Sequence, residues 1–184
     1  EGLSPRQYLD LVRDVLDQKR QAGVEAPTYP QFRDMIRMFM DPIADPQQSE
    51  SPYLIKKECA GILELEAVAA GQRVRVCVTG PLELYISAFG TTGYTDILYA
   101  LAESVARFLE RARQDGKMSV ACIDEPSLGI SSAIIFSEEE IRRALDIASA
   151  PCREMDCEIH LHSPLFAEAC AAVPGISIVG IESA

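Results

Sequence analysis

Residues 136–163, FSEEEIRRALDIASAPCREMDCEIHLHS, contain a helix pattern followed directly by a strand pattern. Ser137 and Glu140 have the spacing of a capping box, which predicts a helix over about 137–149. The apolar run after this helix predicts a strand over 157–162. A helix that leads into a strand in this way is typical of the repeating units of α/β proteins.

The same alternation continues on both sides of this stretch. Toward the N-terminus, the sequence predicts strands over 73–79 and 119–124, with a helix over 94–114 between them. Toward the C-terminus, it predicts a helix over 164–172 and a strand over 176–182. Strands that alternate with helices form a parallel sheet, and largely apolar strands indicate that both faces of the sheet are covered. The sequence therefore predicts an α/β fold in which these four strands are neighbours.

The N-terminal part of the chain has weaker signals. A capping-box pattern that starts at Ser4 predicts a helix over 4–22, and a second helix is expected from about Pro30. Residues 41–52 are rich in proline, aspartate and serine and show no periodicity, so we expect a loop excursion there. Residues 53–70 fit either a strand or a helix.

The composition fits a single domain over residues 1–184, because 48% hydrophobic residues can bury one substantial core. A net charge of −11 and the lack of a basic stripe argue against a nucleic-acid partner. No apolar run is long enough to span a membrane, so no membrane partner is expected. Six scattered cysteines without a C-x-x-C motif indicate a reduced, cytoplasmic protein.

Polar residues stand at the carboxyl end of each predicted strand. Because the carboxyl ends of parallel strands lie on one edge of a sheet, we expect these residues to meet there. This edge carries the active site in (β/α)₈ barrels and the ligand in open α/β sheets, and the pattern fits both. The residues are Thr79, Asp124, Glu125, His160, His162 and Glu182.

The two histidines of the chain, His160 and His162, suggest a metal site. Residues two apart in a strand face the same side, and Glu182 follows on the next strand. Two imidazoles and a carboxylate suit Zn²⁺ or a similar ion. The pattern H-x-H is short, however, and histidines in a buried strand are often hydrogen-bonded core residues. By the same standard, Asp124 and Glu125 fit an ordinary turn after a strand.

Four short segments, taken in order, resemble the catalytic barrel of cobalamin-independent methionine synthase and the related uroporphyrinogen decarboxylase-like methyltransferases: VCVTGPLELY (76–85), ACIDEPSLGI (121–130), IHLHSPLF (159–166) and IVGIESA (178–184). The resemblance covers about residues 72–184, and more weakly 29–39. It implies a (β/α)₈ TIM barrel of the methionine synthase type. Since a full barrel takes about 250 residues, the barrel is expected to be incomplete in this chain.

The resemblance also implies a reaction, the transfer of a methyl group to a metal-activated thiol such as homocysteine. In this family a zinc ion lowers the pKa of the thiol, which attacks a methyl group on a folate-type or corrinoid donor. His162 and Glu182 match ligands of that zinc ion, and Asp124 matches the aspartate that contacts the ammonium of the substrate. Thr79 and Glu125 are assigned to the same substrate-binding rim.

One departure from the family keeps other interpretations open. Pro164 stands where the family has a cysteine ligand, and His160 is the expected replacement. The alternatives are a corrinoid-dependent methyltransferase or decarboxylase-like relative, and a non-catalytic paralogue that has lost zinc. An incomplete barrel exposes strand edges, so we expect a homo-oligomer or a partner chain that covers the open edge.

Overall fold

A sheet of four parallel strands forms the centre of the structure, a computed structural model that describes residues 3–130 and 135–182. In chain order, the elements are α1 (Pro5–Gln21), α2 (Arg37–Ala44), β1 (Ser49–Ser51), β2 (Leu54–Ile55), β3 (Val74–Thr79), α3 (Pro81–Phe89), α4 (Thr95–Gln114), β4 (Met118–Glu125), α5 (Glu138–Ser149), β5 (Cys157–Leu161), α6 (Ala167–Ala171) and β6 (Ile178–Ile181). The order in the central sheet is β3-β4-β5-β6, and β1 and β2 form a separate antiparallel pair.

The α/β class, the four predicted strands and their order are confirmed. Neighbouring strands in the central sheet are all parallel. One register row crosses the sheet near the carboxyl ends of the strands and contains Thr79, Asp124, His160 and Gly180. Residues in register on parallel strands face the same side of the sheet. The row therefore places three polar side chains beside one another, next to a glycine.

One face of the sheet is apolar and lies under the helices; we call it the helix-covered face. Val76, Val78, Ile123 and Ile159 lie on this face and are fully buried. Glu125, on the same face, accepts hydrogen bonds from the first turn of α3. Crossovers between parallel strands are right-handed, so the helices that connect sequential strands pack on one side. Among the described residues, no helix is both long and apolar enough to cross a membrane.

The opposite face carries charged and thiol groups, and we call it the polar face. Its side chains alternate along each strand with those of the helix-covered face. The guanidinium of Arg75 on β3 reaches across β4 to the carboxylate of Glu158 on β5, at 2.8 Å. The residues of this face at the centre of the sheet are Arg75, Cys77, Thr79, Cys122, Asp124, Glu158 and His160.

A segment before α2 lies along the outer edge of β3. Thr28 pairs with Arg75 in a parallel bridge. The buried hydroxyl of Tyr29 donates a hydrogen bond to the backbone carbonyl of Cys77. This segment therefore extends the parallel pairing beyond β3, and it holds the chain extended where the sequence predicts the start of the second helix.

The second helix begins later than the sequence predicts. The prediction starts it at about Pro30, whereas α2 begins at Arg37. Asp34 marks the start, because its carboxylate accepts amide hydrogen bonds from Ile36 and Arg37 at 2.9 Å. The helix then continues into the stretch 41–52, where β1 also forms. Only part of that stretch is therefore a loop.

The remaining differences concern short elements. Residues 53–70 form neither a long strand nor a long helix; they contain β2 and short 3₁₀ turns at Lys57–Cys59 and Leu63–Ala67. Helix α3 is absent from the sequence prediction. It begins directly after β3, with Gly80 as its N-cap and Pro81 at its first position. The TGP tripeptide is thus the junction of a strand and a helix.

A buried carboxylate connects the N-terminal helix to the rest of the chain. Glu64, in the turn at Leu63–Ala67, is fully buried. It accepts hydrogen bonds from Nε and Nη2 of Arg33, both at 2.7 Å, and from the hydroxyl of Tyr8 on α1 at 2.6 Å. Charge-assisted bonds of this paired kind are among the stronger hydrogen bonds in proteins. The cluster therefore joins α1, the segment before α2 and the turn.

Candidate metal centre

Three of the predicted site residues meet at the carboxyl ends of β5 and β6. One ligand atom from each of His160, His162 and Glu182 lies within 4.8 Å of the others. Nδ1 of His162 is 3.7 Å from Oε2 of Glu182, and the two imidazole rings are 5.3 Å apart in an edge-to-face arrangement. The structure therefore brings together the residues that the spacing places on one side. We call them the histidine cluster.

Backbone pairing fixes the position of Glu182 beside the histidines. The ladder between β5 and β6 continues past the last residue of β6, since the amide of Glu182 donates to the carbonyl of Leu161 at 3.0 Å. Gly180, two residues before Glu182 on β6, leaves space for the side chains of the neighbouring strand. A Cβ atom there would lie 2.5 Å from Oε1 of Glu158 and 3.5 Å from Nδ1 of His160. The glycine therefore leaves room for both side chains.

The histidine cluster is open to solvent on one side. The side chain of His162 is 35% exposed and that of Glu182 is 62% exposed, whereas His160 is half-buried. Three protein ligands with an accessible fourth position are the usual form of a catalytic zinc site, while structural sites are closed by four protein ligands. The donor set and the exposure of the cluster thus fit an ion that must meet a substrate.

Asp124 lies next to the histidine cluster on the polar face, in register with His160. Burial has the largest effect on its carboxyl group and raises the pKa. The thiol of Cys122, which donates to Oδ1 at 3.2 Å, and the imidazole of His160 both act to lower that pKa. A half-buried carboxylate of this kind gains from a cationic partner. Asp124 therefore lies near the carboxyl ends of the strands, where the sequence predicts it.

Glu125 does not join this group, so the prediction that all strand-end carboxylates converge is wrong for this residue. Consecutive residues in a strand face opposite sides, and Glu125 therefore faces the helices while Asp124 faces the polar side. Its carboxylate is fully buried and accepts the backbone amides of Leu82 at 3.0 Å and Glu83 at 2.8 Å. These contacts hold the N-terminus of α3, so Glu125 supports the fold on the face opposite Asp124.

Thr79 is on the polar face but is not available there. It is 1% exposed, and its hydroxyl donates a hydrogen bond to the carbonyl of Met35 at 2.8 Å. The contact fixes the segment before α2 over the end of β3. Thr79 therefore lies beside the site, but its hydroxyl is already engaged in a hydrogen bond within the chain.

The buried carboxyl group of Glu125 should make the stability of the protein depend on pH. Burial raises its pKa to about 8, in spite of the two amides that favour the charged form. In the unfolded protein the pKa of a glutamate is about 4.3. Between about pH 4.3 and 8, the folded protein therefore keeps Glu125 protonated while the unfolded protein does not. Its contribution to stability is complete below about pH 4.3 and is lost as the pH rises through about 8.

The Glu125→Gln variant tests this expectation. The free energy of unfolding of the wild-type protein, minus that of the variant, should be larger at pH 5.5 than at pH 8.5 by more than about 1 kcal/mol. Urea unfolding at the two pH values measures the difference. A difference that does not change with pH would show that the carboxyl group is already ionised in the folded protein at pH 5.5.

A second group of ligand atoms on the polar face is absent from the sequence prediction. The sulfurs of Cys77 and Cys122 and a carboxylate oxygen of Asp124 lie within 4.8 Å of one another. The neighbouring Cys77 thiol and burial raise the pKa of the Cys122 thiol. We call these residues the thiol cluster. The signal in the sequence is the spacing of Cys122 and Asp124 two residues apart, with Cys77 at the matching position of the preceding strand.

Comparison of the chain with protein-family models, with curated proteins and with solved structures gave no match. What the chain can bind therefore follows from its own side chains. The polar face offers two adjacent groups of ligand atoms at the carboxyl end of a parallel sheet, where α/β proteins bind their ligands.

Proposed function

We propose that the chain is part of a (β/α)₈-barrel methyltransferase of the methionine synthase type, which transfers a methyl group to a zinc-activated thiol. The observation that carries the proposal is the histidine cluster, with three ligand atoms within 4.8 Å at the carboxyl end of the sheet and an accessible side. The α/β fold with sequential parallel strands supports the barrel, since a curved continuation of this order would close one.

The residues of the cluster have the chemistry for zinc. His160 and His162 supply imidazole nitrogens and Glu182 a carboxylate oxygen, which are ordinary zinc ligands. When bound, the ion supplies a Lewis acid that lowers the pKa of a thiol. Because the set contains no sulfur, it is less thiophilic than a cysteine-containing site. We therefore expect weaker zinc binding than in the family that the sequence resembles.

Asp124 would orient the thiol substrate. An amino-acid thiol such as homocysteine carries an ammonium group, and the half-buried Asp124 carboxylate lies beside His160 on the polar face. A cation next to this carboxylate would offset the burial that disfavours its charge. The methyl donor would be of the folate or corrinoid type, and it would approach from the open side of the cluster.

The proposal also requires further strands next to the exposed edge of the sheet. β6 lies at the edge of the described sheet, and its residues Ile178 and Ile181 are 40% and 43% exposed. An exposed apolar strand edge favours pairing with further strands. We propose that further barrel strands, supplied by a second copy or by a partner chain, cover it. All six cysteines are free, which fits the reducing conditions of the cytoplasm.

Zinc titration of histidine variants tests the proposed function. The wild-type protein should bind zinc at the histidine cluster in calorimetry, and His162→Ala should lower the affinity of this binding step at least about tenfold, equivalent to ~1.4 kcal/mol. His160→Ala and Glu182→Gln should act in the same direction, because each removes one ligand. Since imidazole binds a metal only in its neutral form, the affinity of the wild-type protein should also fall as the solution is acidified.

The matched control for this titration is Glu139→Gln, which changes an exposed carboxylate on α5 in the same way. It should leave zinc affinity unchanged. If both histidine variants bind zinc as tightly as the wild-type protein, the histidines are not ligands, and the proposed function loses the observation that carries it.

A further inference from the structure

The cysteines of the thiol cluster lie on the polar face, two residues before the register row that contains Asp124 and His160. Cys77 and Cys122 are register partners on β3 and β4, and Asp124 follows Cys122 by two residues. We propose that the thiol cluster is a second metal site, which binds a thiophilic divalent ion of the Zn²⁺ class. The inference stands on these three residues and does not depend on the proposed methyl transfer.

The donor atoms select the class of ion. Two thiolates and one carboxylate suit Zn²⁺ and other soft or borderline ions, whereas Mg²⁺ and Ca²⁺ require oxygen ligands. In a tetrahedral site with Zn–S bonds of about 2.3 Å, the ligand atoms lie roughly 3.8 Å apart. The separations within the cluster are all within 4.8 Å, so they exceed this value by about 1 Å at most. A tetrahedral ion bound by these three residues would take a fourth ligand that the cluster itself does not supply.

The environment of the two cysteines differs from that of ordinary core cysteines. A buried cysteine usually packs as a small hydrophobic residue. Cys77 and Cys122 are 2% and 0% exposed, yet they lie on the polar face among ionised groups. Both stand on neighbouring strands of the central sheet, which fixes their separation more firmly than a loop would.

Arg75 and Glu158 support sulfur ligands. The guanidinium of Arg75 donates to the sulfur of Cys77 at 2.8 Å and to that of Cys122 at 2.9 Å. Donors of this kind orient metal ligands. The positive charge of Arg75 would oppose a cation, but the carboxylate of Glu158 pairs with it at 2.8 Å and offsets that charge.

Asp124 contributes a carboxylate oxygen to the thiol cluster. Its Oδ1 atom faces Cys122 and accepts the thiol hydrogen at 3.2 Å. Oδ2 receives no hydrogen bond from the described residues, and His160 is the register partner of Asp124 on β5. An ion held between Oδ1 and the two sulfurs would therefore use only one oxygen of this carboxylate.

Cobalt spectroscopy of the whole chain tests this site. Co²⁺ replaces Zn²⁺ and shows a near-ultraviolet charge-transfer band only when a thiolate is bound to it. Under anaerobic, reducing conditions the wild-type protein with Co²⁺ should show this band, and Cys77→Ser and Cys122→Ser should each lose most of it. His162→Ala should keep the band, because it changes only the histidine cluster. The control Cys152→Ser, which removes a thiol from another buried position, should also keep it.

The outcomes separate the two metal sites. No band in the wild-type protein, or an undiminished band in both Cys77→Ser and Cys122→Ser, would overturn the thiol site whatever the zinc titration of the histidine variants gives. Circular dichroism establishes that each variant is folded. If a serine variant unfolds, X-ray absorption of the zinc-loaded wild-type protein decides. Zn–S scattering at about 2.3 Å supports the site, whereas a spectrum with nitrogen and oxygen scattering at about 2.0 Å and no sulfur overturns it.

Discussion

Replacing Arg33 with alanine should lower the free energy of unfolding by about 3 kcal/mol, because the change leaves a buried carboxylate without its cation. Glu64 is fully buried and receives two bonds of 2.7 Å from the Arg33 guanidinium. Of the hydrogen bonds that the described residues donate to Glu64, the variant would keep the one from the Tyr8 hydroxyl at 2.6 Å. Urea unfolding followed by circular dichroism measures the loss, and the slope of the transition should stay the same.

Two further variants identify the cause of the expected loss. In the Arg33→Ala/Glu64→Gln double variant, the buried group is neutral, so this protein should be more stable than Arg33→Ala alone. Arg13→Ala breaks an exposed ion pair with Asp10, whose side chains are about half exposed, and should cost less than ~0.5 kcal/mol. If Arg33→Ala were as mild as Arg13→Ala, the cluster would contribute little to the attachment of α1.

The alternation of strands and helices is predictable because its signals are local. Ser137 and Glu140 form the capping box that their spacing predicts, and Ser4 and Gln7 do the same at the start of α1. The β-branched and apolar runs of the four central strands are equally local. Each of these elements could therefore be located without knowledge of its neighbours.

The side to which a residue points is also predictable, but only when the two-residue period of a strand is applied to every position. The period correctly places His160 and His162 together. The same period separates Asp124 from Glu125, and grouping both on the carboxyl edge overlooks it. That a residue stands at the carboxyl end of a strand gives its position along the strand. The two-residue period decides which face of the sheet its side chain lies on.

Contacts between distant segments are beyond such local rules. Arg33 and Glu64 are 31 residues apart, and Glu64 lies in a stretch whose pattern fits a strand or a helix. The thiol cluster depends on the register between β3 and β4, which pairs Cys77 with Cys122. A shift of the register by one residue would place one cysteine under the helices, and nothing in the sequence of either strand alone fixes that register.

Gly80→Ala should have a comparably large effect, a loss of about 2–3 kcal/mol in the free energy of unfolding. A Cβ atom at this position would lie 2.2 Å from both Cδ and Oε1 of Glu125. The carboxylate cannot move aside easily, because it is buried and accepts the amides of Leu82 and Glu83. The extra methyl group must therefore either displace α3 from the end of β4 or break those two bonds.

Gly61→Ala is the matched control for this substitution, since a Cβ atom there has no neighbour within 4 Å and the backbone is not left-handed. It should change stability by less than ~0.5 kcal/mol. The clash with Glu125 can be isolated in a double-mutant cycle: in the Glu125→Ala background, Gly80→Ala should cost less than in the wild-type protein, because the atoms that it strikes are gone. Equal costs in the two backgrounds would mean that the loss comes from the backbone at residue 80 and not from contact with the buried carboxylate.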